Sequence, residues 1–172
     1  MGNKIKEILV DMDGVLFDYE KFFNENAPNH ISYYQNQEKE EEFDEIKSIL
    51  IKEKEIYNNL DFMPDGKALY EELLVLSEKY NVKLSIMTAT GKLYSDIAAK
   101  QKEHCVSSKI PKIPFAYVVR SKHKARHATP NTILIDDREK SIRPFVEMGG
   151  IGILHKNTKN TIKELKNIFK EL

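Results

Sequence analysis

Two aspartates separated by one residue, Asp11 and Asp13, follow the segment Ile5 to Val10, which ends in the apolar run Ile8 to Val10. Such a run is typical of a strand buried on both faces, so the acids lie where this strand ends. A second acidic pair, Asp136 and Asp137, ends another apolar run. Carboxylates brought together repel one another unless a cation joins them, and oxygen-only ligands favour a hard divalent ion. The acid pairs therefore predict a magnesium site.

Hydroxyl and basic side chains follow two further apolar runs. Thr88 and Thr90 end the run VKLSIMTAT, and the basic segment Arg120 to Lys124 follows the run that begins at Phe115. The carboxyl ends of parallel strands meet at one edge of a sheet, where ligands bind, so we expect these groups to gather beside the acids. Hydroxyls and a lysine next to a metal would hold an anion that the metal also contacts. A phosphate meets these requirements.

The elements that would position these residues alternate between strands and helices along the chain. The predicted strands are Ile5–Val10, VKLSIMTAT, Phe115–Val119, the apolar part of PNTILIDDRE, and IGIL. Helices are predicted from near Asp65, with a stripe formed by Leu69, Leu73, Leu76 and Tyr80, over Leu93 to about His104, over SIRPFVEMGG, and over TKNTIKELKNIFKEL. This alternation predicts an α/β fold, an open, mainly parallel sheet with helices on both faces.

Length and composition exclude several classes of protein. A chain of 172 residues supports one main core, and 27 basic residues balance 27 acidic ones, so no global positive field attracts nucleic acid or an anionic membrane. The apolar runs are much shorter than the about 20 residues that span a bilayer, and the N-terminus does not resemble a signal peptide. A single cysteine, Cys105, excludes an internal disulfide and a multi-cysteine zinc site. These features indicate a cytoplasmic protein.

Four segments resemble the motifs of the haloacid dehalogenase superfamily, in the family's order. They are DMDGVLFD, LSIMTAT, a lysine in SKHKARHA, and ILIDDRE. The resemblance extends over nearly the whole chain and implies a Rossmann-like core. Because Asp13 is a carboxylate, unlike its counterpart in the dehalogenases, the resemblance implies a phosphatase that hydrolyses a phosphomonoester.

The resemblance also implies a role for each matching residue. Asp11 would be the nucleophile that forms an aspartyl-phosphate, and Asp13 the acid and base, with its main-chain carbonyl on Mg²⁺. Thr88 and the amide of Ala89 would bind phosphate oxygens. Asp137 would bind the metal directly, and Asp136 would support it directly or through water.

Two basic positions stay open at this point. The lysine of the third motif is Lys124 or Lys122, and the spacing to the acidic pair favours Lys124. Arg120 either contacts substrate or forms a surface ion pair.

Residues 19–63 are predicted to form a small helical cap, which is inserted into a core domain formed by residues 1–18 and 64–172. This arrangement resembles the 5′(3′)-deoxyribonucleotidases and related small phage and bacterial proteins, which implies a (deoxy)nucleoside monophosphate as substrate. Aromatic side chains near the cap could form a wall for a nucleobase, although each is more typical of packing: Phe17, Phe22, Phe23, Tyr33 and Tyr34.

Two alternative functions remain. A polynucleotide or tRNA-end phosphatase would use the basic segment RSKHKARH on a nucleic-acid backbone, although the acidic run Glu38 to Glu45 disfavours a long polyanion. A catalytically idle binding module, such as a phospho-receiver, would need the acidic motifs in the opposite order. Nothing in the sequence predicts the oligomeric state.

Overall fold

The computed structural model describes residues 5–27, 40–110, 113–118 and 120–170, and of residues 40–43 only the backbone. Within these ranges, five strands form one parallel sheet in the order β3-β2-β1-β4-β5. The strands are β1 (Glu7–Val10), β2 (Lys83–Ala89), β3 (Phe115–Val118), β4 (Thr132–Asp136) and β5 (Ile151–Leu154). The predicted α/β fold with a parallel sheet is confirmed, and each predicted strand is present.

Strand β1 lies at the centre of the sheet, with β2 on one side and β4 on the other. Val10 pairs with Ile86 of β2 and with Ile135 of β4. Strand β4 ends one residue beyond this level and β2 three residues beyond it. Ile8 and Val10 face one hydrophobic cluster, while Leu9 faces a second cluster on the opposite side. Burial on both faces explains the uninterrupted apolar run, and it holds the residue after Val10 rigidly at the sheet edge.

Helices cover both faces of this sheet. They are α1 (Tyr19–Asn26), α2 (Glu40–Lys54), α3 (Gly66–Tyr80), α4 (Ser95–Lys109), a 3₁₀ helix (Ser121–His127), α5 (Glu139–Glu147) and α6 (Thr158–Lys170). The predicted stripe of α3 is buried at its three leucines, and α3 packs on α6 through the stacked rings of Tyr80 and Phe169, 4.2 Å apart. The 3₁₀ helix was not predicted, because its seven residues are nearly all polar. Among the described helices, none is long and apolar enough to cross a membrane.

The segment between β1 and α3 contributes to the same core as the sheet. Leu50 and Ile51 of α2, with Tyr57 after it, belong to the hydrophobic cluster that includes Ile8 and Val10. One side chain of α4 also bridges the turn after α2. Gln101 Nε2 donates to the carbonyl of Ile51 at 2.8 Å, and Gln101 Oε1 accepts from the amide of Tyr57 at 3.4 Å. Tyr33, Tyr34 and residues 38–39 of the acidic run lie outside the described residues.

Candidate active site

Asp11 is the first residue after β1, and the residue is 6% exposed. The amide of Asp11 continues the ladder by donating to Ile135 at 2.9 Å, which fixes the backbone at the sheet edge. The chain then turns sharply. Gly14 adopts φ of +80°, and the amides of Leu16 and Phe17 both donate to the carbonyl of Met12. A positive φ favours glycine, so the Asp-x-Asp-Gly order follows from this tight turn.

Three carboxylates converge at this edge. One oxygen from each of Asp11, Asp136 and Asp137 lies within 4.8 Å of the others. Burial and the neighbouring carboxylates together raise the pKa of Asp11 to about 8, although the nearby Lys124 opposes this shift. Three carboxylates this close repel one another, and a bound cation would relieve the repulsion. Because all the ligand atoms are oxygens, they fit a hard divalent cation. The Asp13 carboxylate lies outside this cluster, which leaves its main-chain carbonyl as the ligand that the family resemblance implies.

Lys124 lies between two of these acids. Its Nζ is 2.6 Å from Asp11 Oδ1 and 2.6 Å from Asp136 Oδ2, and the side chain is 1% exposed. Burial opposes the charged ammonium, but the two carboxylates outweigh it and raise the pKa of Lys124 above its ordinary value. Lys122, two residues earlier in the 3₁₀ helix, is exposed. The structure thus brings Lys124 into the cluster and leaves Lys122 outside.

The end of β2 lies on the other side of β1 from the end of β4. Thr88 is fully buried and Ala89 is half-buried, where β2 reaches the edge beside β1. The hydroxyl of Thr90 is not directed to the acids: it lies 2.5 Å from Ser95 Oγ, and therefore ties the loop to the start of α4. The sequence-predicted groups Asp11, Asp13, Thr88, Ala89, Lys124, Asp136 and Asp137 consequently share one edge of the sheet.

Lys102 is a functional candidate that the sequence reasoning missed. This lysine of α4 is fully buried, and its Nζ donates to Asp13 Oδ2 at 2.5 Å, Thr88 Oγ1 at 2.8 Å and the carbonyl of Ala89 at 2.9 Å. The ammonium also lies 4.2 Å from the ring centroid of Tyr57. Lys102 shares a buried helix face with Ala98, Cys105 and Val106. A lysine in an apolar i, i+4 stripe was the available signal.

Three of the aromatic residues considered for a nucleobase wall pack in the core. Phe17 and Phe23 are fully buried in the core, and Phe17 stacks on Phe62 with ring centroids 4.7 Å apart. Phe22 is half-buried and packs against the same core. The aromatic pair beside the site is instead Tyr19 and Tyr57, which are stacked with centroids 5.1 Å apart.

Arg120 forms an ion pair with α2. Its Nη2 lies 3.9 Å from Asp44 Oδ2.

Comparisons with known proteins agree with this geometry. Residues 3–167 match the family described as "5′ nucleotidase, deoxy (Pyrimidine), cytosolic type C protein". A comparison with curated protein sequences finds no significant match.

Two solved structures share the fold. A hydrolase from Streptococcus pneumoniae TIGR4 is 15% identical with a TM-score of 0.55, and the match covers 95% of this chain and 99% of that chain. A Thermotoga maritima protein assigned as a β-phosphoglucomutase is 14% identical with a TM-score of 0.51, over 95% of this chain and 100% of that chain. At these identities the likeness shows the fold alone.

The family match spans nearly the whole chain, including all four motifs. The predicted membership of the haloacid dehalogenase superfamily, and the resemblance to deoxyribonucleotidases, are confirmed. The predicted class of enzyme, a phosphoric monoester hydrolase, is confirmed as well. The chain belongs to the 5′ nucleotidase, deoxy (pyrimidine), cytosolic type C family of haloacid dehalogenase-like phosphatases.

Proposed function

We propose that this protein is a Mg²⁺-dependent phosphatase that hydrolyses deoxynucleoside 5′-monophosphates through an aspartyl-phosphate on Asp11. The observation that carries the proposal is the position of Asp11 at the sheet edge, with Lys124 2.6 Å away and two further aspartates beside it. The description of the family supports a deoxynucleotide, and its mention of pyrimidines favours those bases.

Mg²⁺ would be held by the carboxylates of Asp11, Asp137 and Asp136 and by the main-chain carbonyl of Asp13. When bound, it would neutralise charge on the nucleophile and the phosphoryl group, which otherwise repel each other. Lys124, kept protonated by its two acidic partners, would add a second positive charge next to the attacking oxygen. The Thr88 hydroxyl and the Ala89 amide would bind phosphoryl oxygens from the other side of β1.

Asp11 and Asp13 would divide the chemistry between them. An oxygen of Asp11 attacks phosphorus, the bond from phosphorus to the ester oxygen breaks, and Asp13 gives its proton to the leaving alcohol. Asp13 then takes a proton from water, whose oxygen attacks the aspartyl-phosphate and releases inorganic phosphate with the Asp11 carboxylate. The hydrogen bond from Lys102 holds Asp13 in place for both steps.

Residues 19–63 would act as the cap on a core formed by residues 1–18 and 64–172. The cap would lie against the core at α4, because α2 and Tyr57 reach Gln101 and Lys102. The stacked Tyr19 and Tyr57 are both buried where this cap meets Lys102.

The proposal is tested by phosphate release over a panel of mononucleotides, sugar phosphates and end-phosphorylated oligonucleotides. We expect deoxynucleoside 5′-monophosphates to have the highest kcat/KM, and turnover to stop with EDTA and return with Mg²⁺. A preference for oligonucleotides with strong salt dependence would support the polynucleotide phosphatase instead. Well-folded protein that releases no phosphate from any ester with Mg²⁺ would refute the proposal.

Replacing Gly14 with alanine is expected to weaken the metal site. A Cβ at this position would lie 2.6 Å from Asp137 Oδ2, so the carboxylate must shift. We expect Mg²⁺ affinity to fall by about tenfold or more, measured by calorimetry and by the Mg²⁺ dependence of turnover. Gly149→Ala is the matched control, because Gly149 has φ of +88° but its Cβ would meet no described atom within 4 Å. Equal Mg²⁺ affinity in the two variants would contradict the assignment of Asp137.

A further inference from the structure

Helix α2 carries a lysine on the face that it turns toward the sheet. Lys47 is half-buried, and it lies three and four residues before Leu50 and Ile51, which are buried in the core. Residues at these spacings share one face of a helix. The ammonium lies 5.8 Å from the ring centroid of Tyr19 and 5.6 Å from that of Tyr57. A charged group on a buried face needs a compensating partner.

The ammonium of Lys47 also lies next to the loop that follows β2. It is the atom closest to a Cβ built on Gly91, at 3.8 Å, and Gly91 lies three residues after Thr88. Lys102 faces the same Tyr57 ring, so this ring is shared by two ammonium groups. Lys47 is thus placed at the site, on the side formed by the inserted helices.

The two lysines differ in how their charge is compensated. Lys102 forms its ion pair with Asp13. Lys47 forms no ion pair with any carboxylate of the described residues, and its contacts are with the two tyrosine rings. Burial, and then the charge of Lys102, lower the pKa of Lys47 to about 8. An anion arriving here would remove this imbalance.

We propose that Lys47 is a substrate-binding residue whose ammonium contacts the dianionic phosphoryl group from the side of α2, opposite Lys124. This inference rests on the proposed function, because the phosphoryl group is the anion that the reaction brings beside Asp13 and Thr88. A charge-assisted hydrogen bond from an ammonium to a phosphoryl oxygen is stronger than one between neutral groups.

The contact has a structural consequence. Thr88, Lys124 and the acids belong to the sheet edge, whereas Lys47 belongs to the insert. A phosphate held by both sides would link the insert to the sheet edge.

The test compares Lys47→Met, Lys47→Gln and Lys47→Arg with the wild type. Lys52→Met is the matched control, because Lys52 is an exposed lysine of the same helix, with its Nζ 5.6 Å from the Tyr94 ring centroid. Binding of inorganic phosphate is measured by calorimetry with Mg²⁺ present, which requires no turnover. Steady-state kinetics are measured with a deoxynucleoside monophosphate and with p-nitrophenyl phosphate.

We expect Lys47→Met and Lys47→Gln to weaken phosphate binding by about tenfold or more and to raise KM for both substrates similarly. Lys47→Arg should recover most of the affinity, and Lys52→Met should match the wild type. Thermal unfolding shows whether each variant is folded. If Lys47→Met or Lys47→Gln fails to fold, the other variant still gives the test.

Unchanged phosphate affinity in folded Lys47→Met and Lys47→Gln would overturn the proposal. A raised KM for the nucleotide alone, with normal phosphate binding, would overturn it too, because Lys47 would then contact the leaving group. If the wild type binds phosphate but hydrolyses no ester, the proposed function fails, while the phosphate affinities still decide the role of Lys47.

Discussion

Replacing Asp11 with asparagine is expected to lower kcat by about 10³-fold or more. The amide oxygen of asparagine is a poor nucleophile, and the other carboxylates cannot take its place. Asp13 is held by Lys102, and Asp136 by Lys124 and the amide of Arg138. The measurement is phosphate release from the best substrate of the panel at saturating Mg²⁺. An Asp11→Asn protein that retains more than about a tenth of the activity would exclude Asp11 as the nucleophile.

The loss should come from chemistry and not from unfolding. Burial and the neighbouring acids disfavour the negative charge of Asp11, so a neutral amide in its place should not destabilise the fold. Lys124 would still have an ion-pair partner in the variant, because its Nζ lies 2.6 Å from Asp136 Oδ2. We therefore expect Asp11→Asn to unfold in EDTA at the same urea concentration as the wild type or a higher one. Asp61→Asn, at an exposed aspartate paired with Lys21 at the surface, is the matched control for activity and stability.

Replacing Lys102 with methionine is expected to lower kcat/KM by about 100-fold. Methionine has a similar volume, so the packing under Tyr57 is largely kept, but Asp13 loses its ion pair and Thr88 loses a hydrogen-bond donor. A misplaced acid–base group costs rate even when it is still present. Because removal of one partner leaves the other charge uncompensated, the free energy of unfolding should also fall by about 3 kcal/mol. Steady-state kinetics and urea unfolding measure the two effects.

A double variant separates the charge of Lys102 from its packing. Asp13→Asn combined with Lys102→Met removes both charges, so most of the lost stability should return while activity stays absent. Lys100→Met, at an exposed lysine of the same helix, should behave as the wild type. Normal kcat/KM in Lys102→Met would show that Asp13 needs no support from α4.

The sequence predicts the sheet-edge part of the site well, and there is a physical reason. Asp11, Thr88 and Asp136 lie at or directly after the ends of buried strands, and strand ends are visible as the point where an apolar run stops. A parallel sheet then brings these ends together without further information. Lys124 follows from its spacing to the acidic pair, although the 3₁₀ helix that turns it inward leaves no apolar pattern.

The helical part of the site could not be predicted in the same way. Helix α4 buries Gln101 and Lys102 together with Ala98, so its inward face is not distinctly apolar. The i, i+4 spacing of Ala98, Lys102 and Val106 places Lys102 on that face, but it does not show which groups the ammonium contacts. The position of Lys47 depends on how α2 packs against α1 and α4, which is a long-range property. Phe17 and Phe23 are buried in the core, which is the packing role that the sequence makes more typical of each of them.

The bridge that Gln101 makes to the turn after α2 has a kinetic consequence. A movement that separates α2 from α4 must break both hydrogen bonds of Gln101, to Ile51 and to Tyr57. That movement would also expose the amide of Tyr57 to solvent deuterium. When every opening leads to exchange, the exchange rate of this amide equals the rate at which α2 and α4 separate. Product release that waits for this separation cannot be faster than that rate.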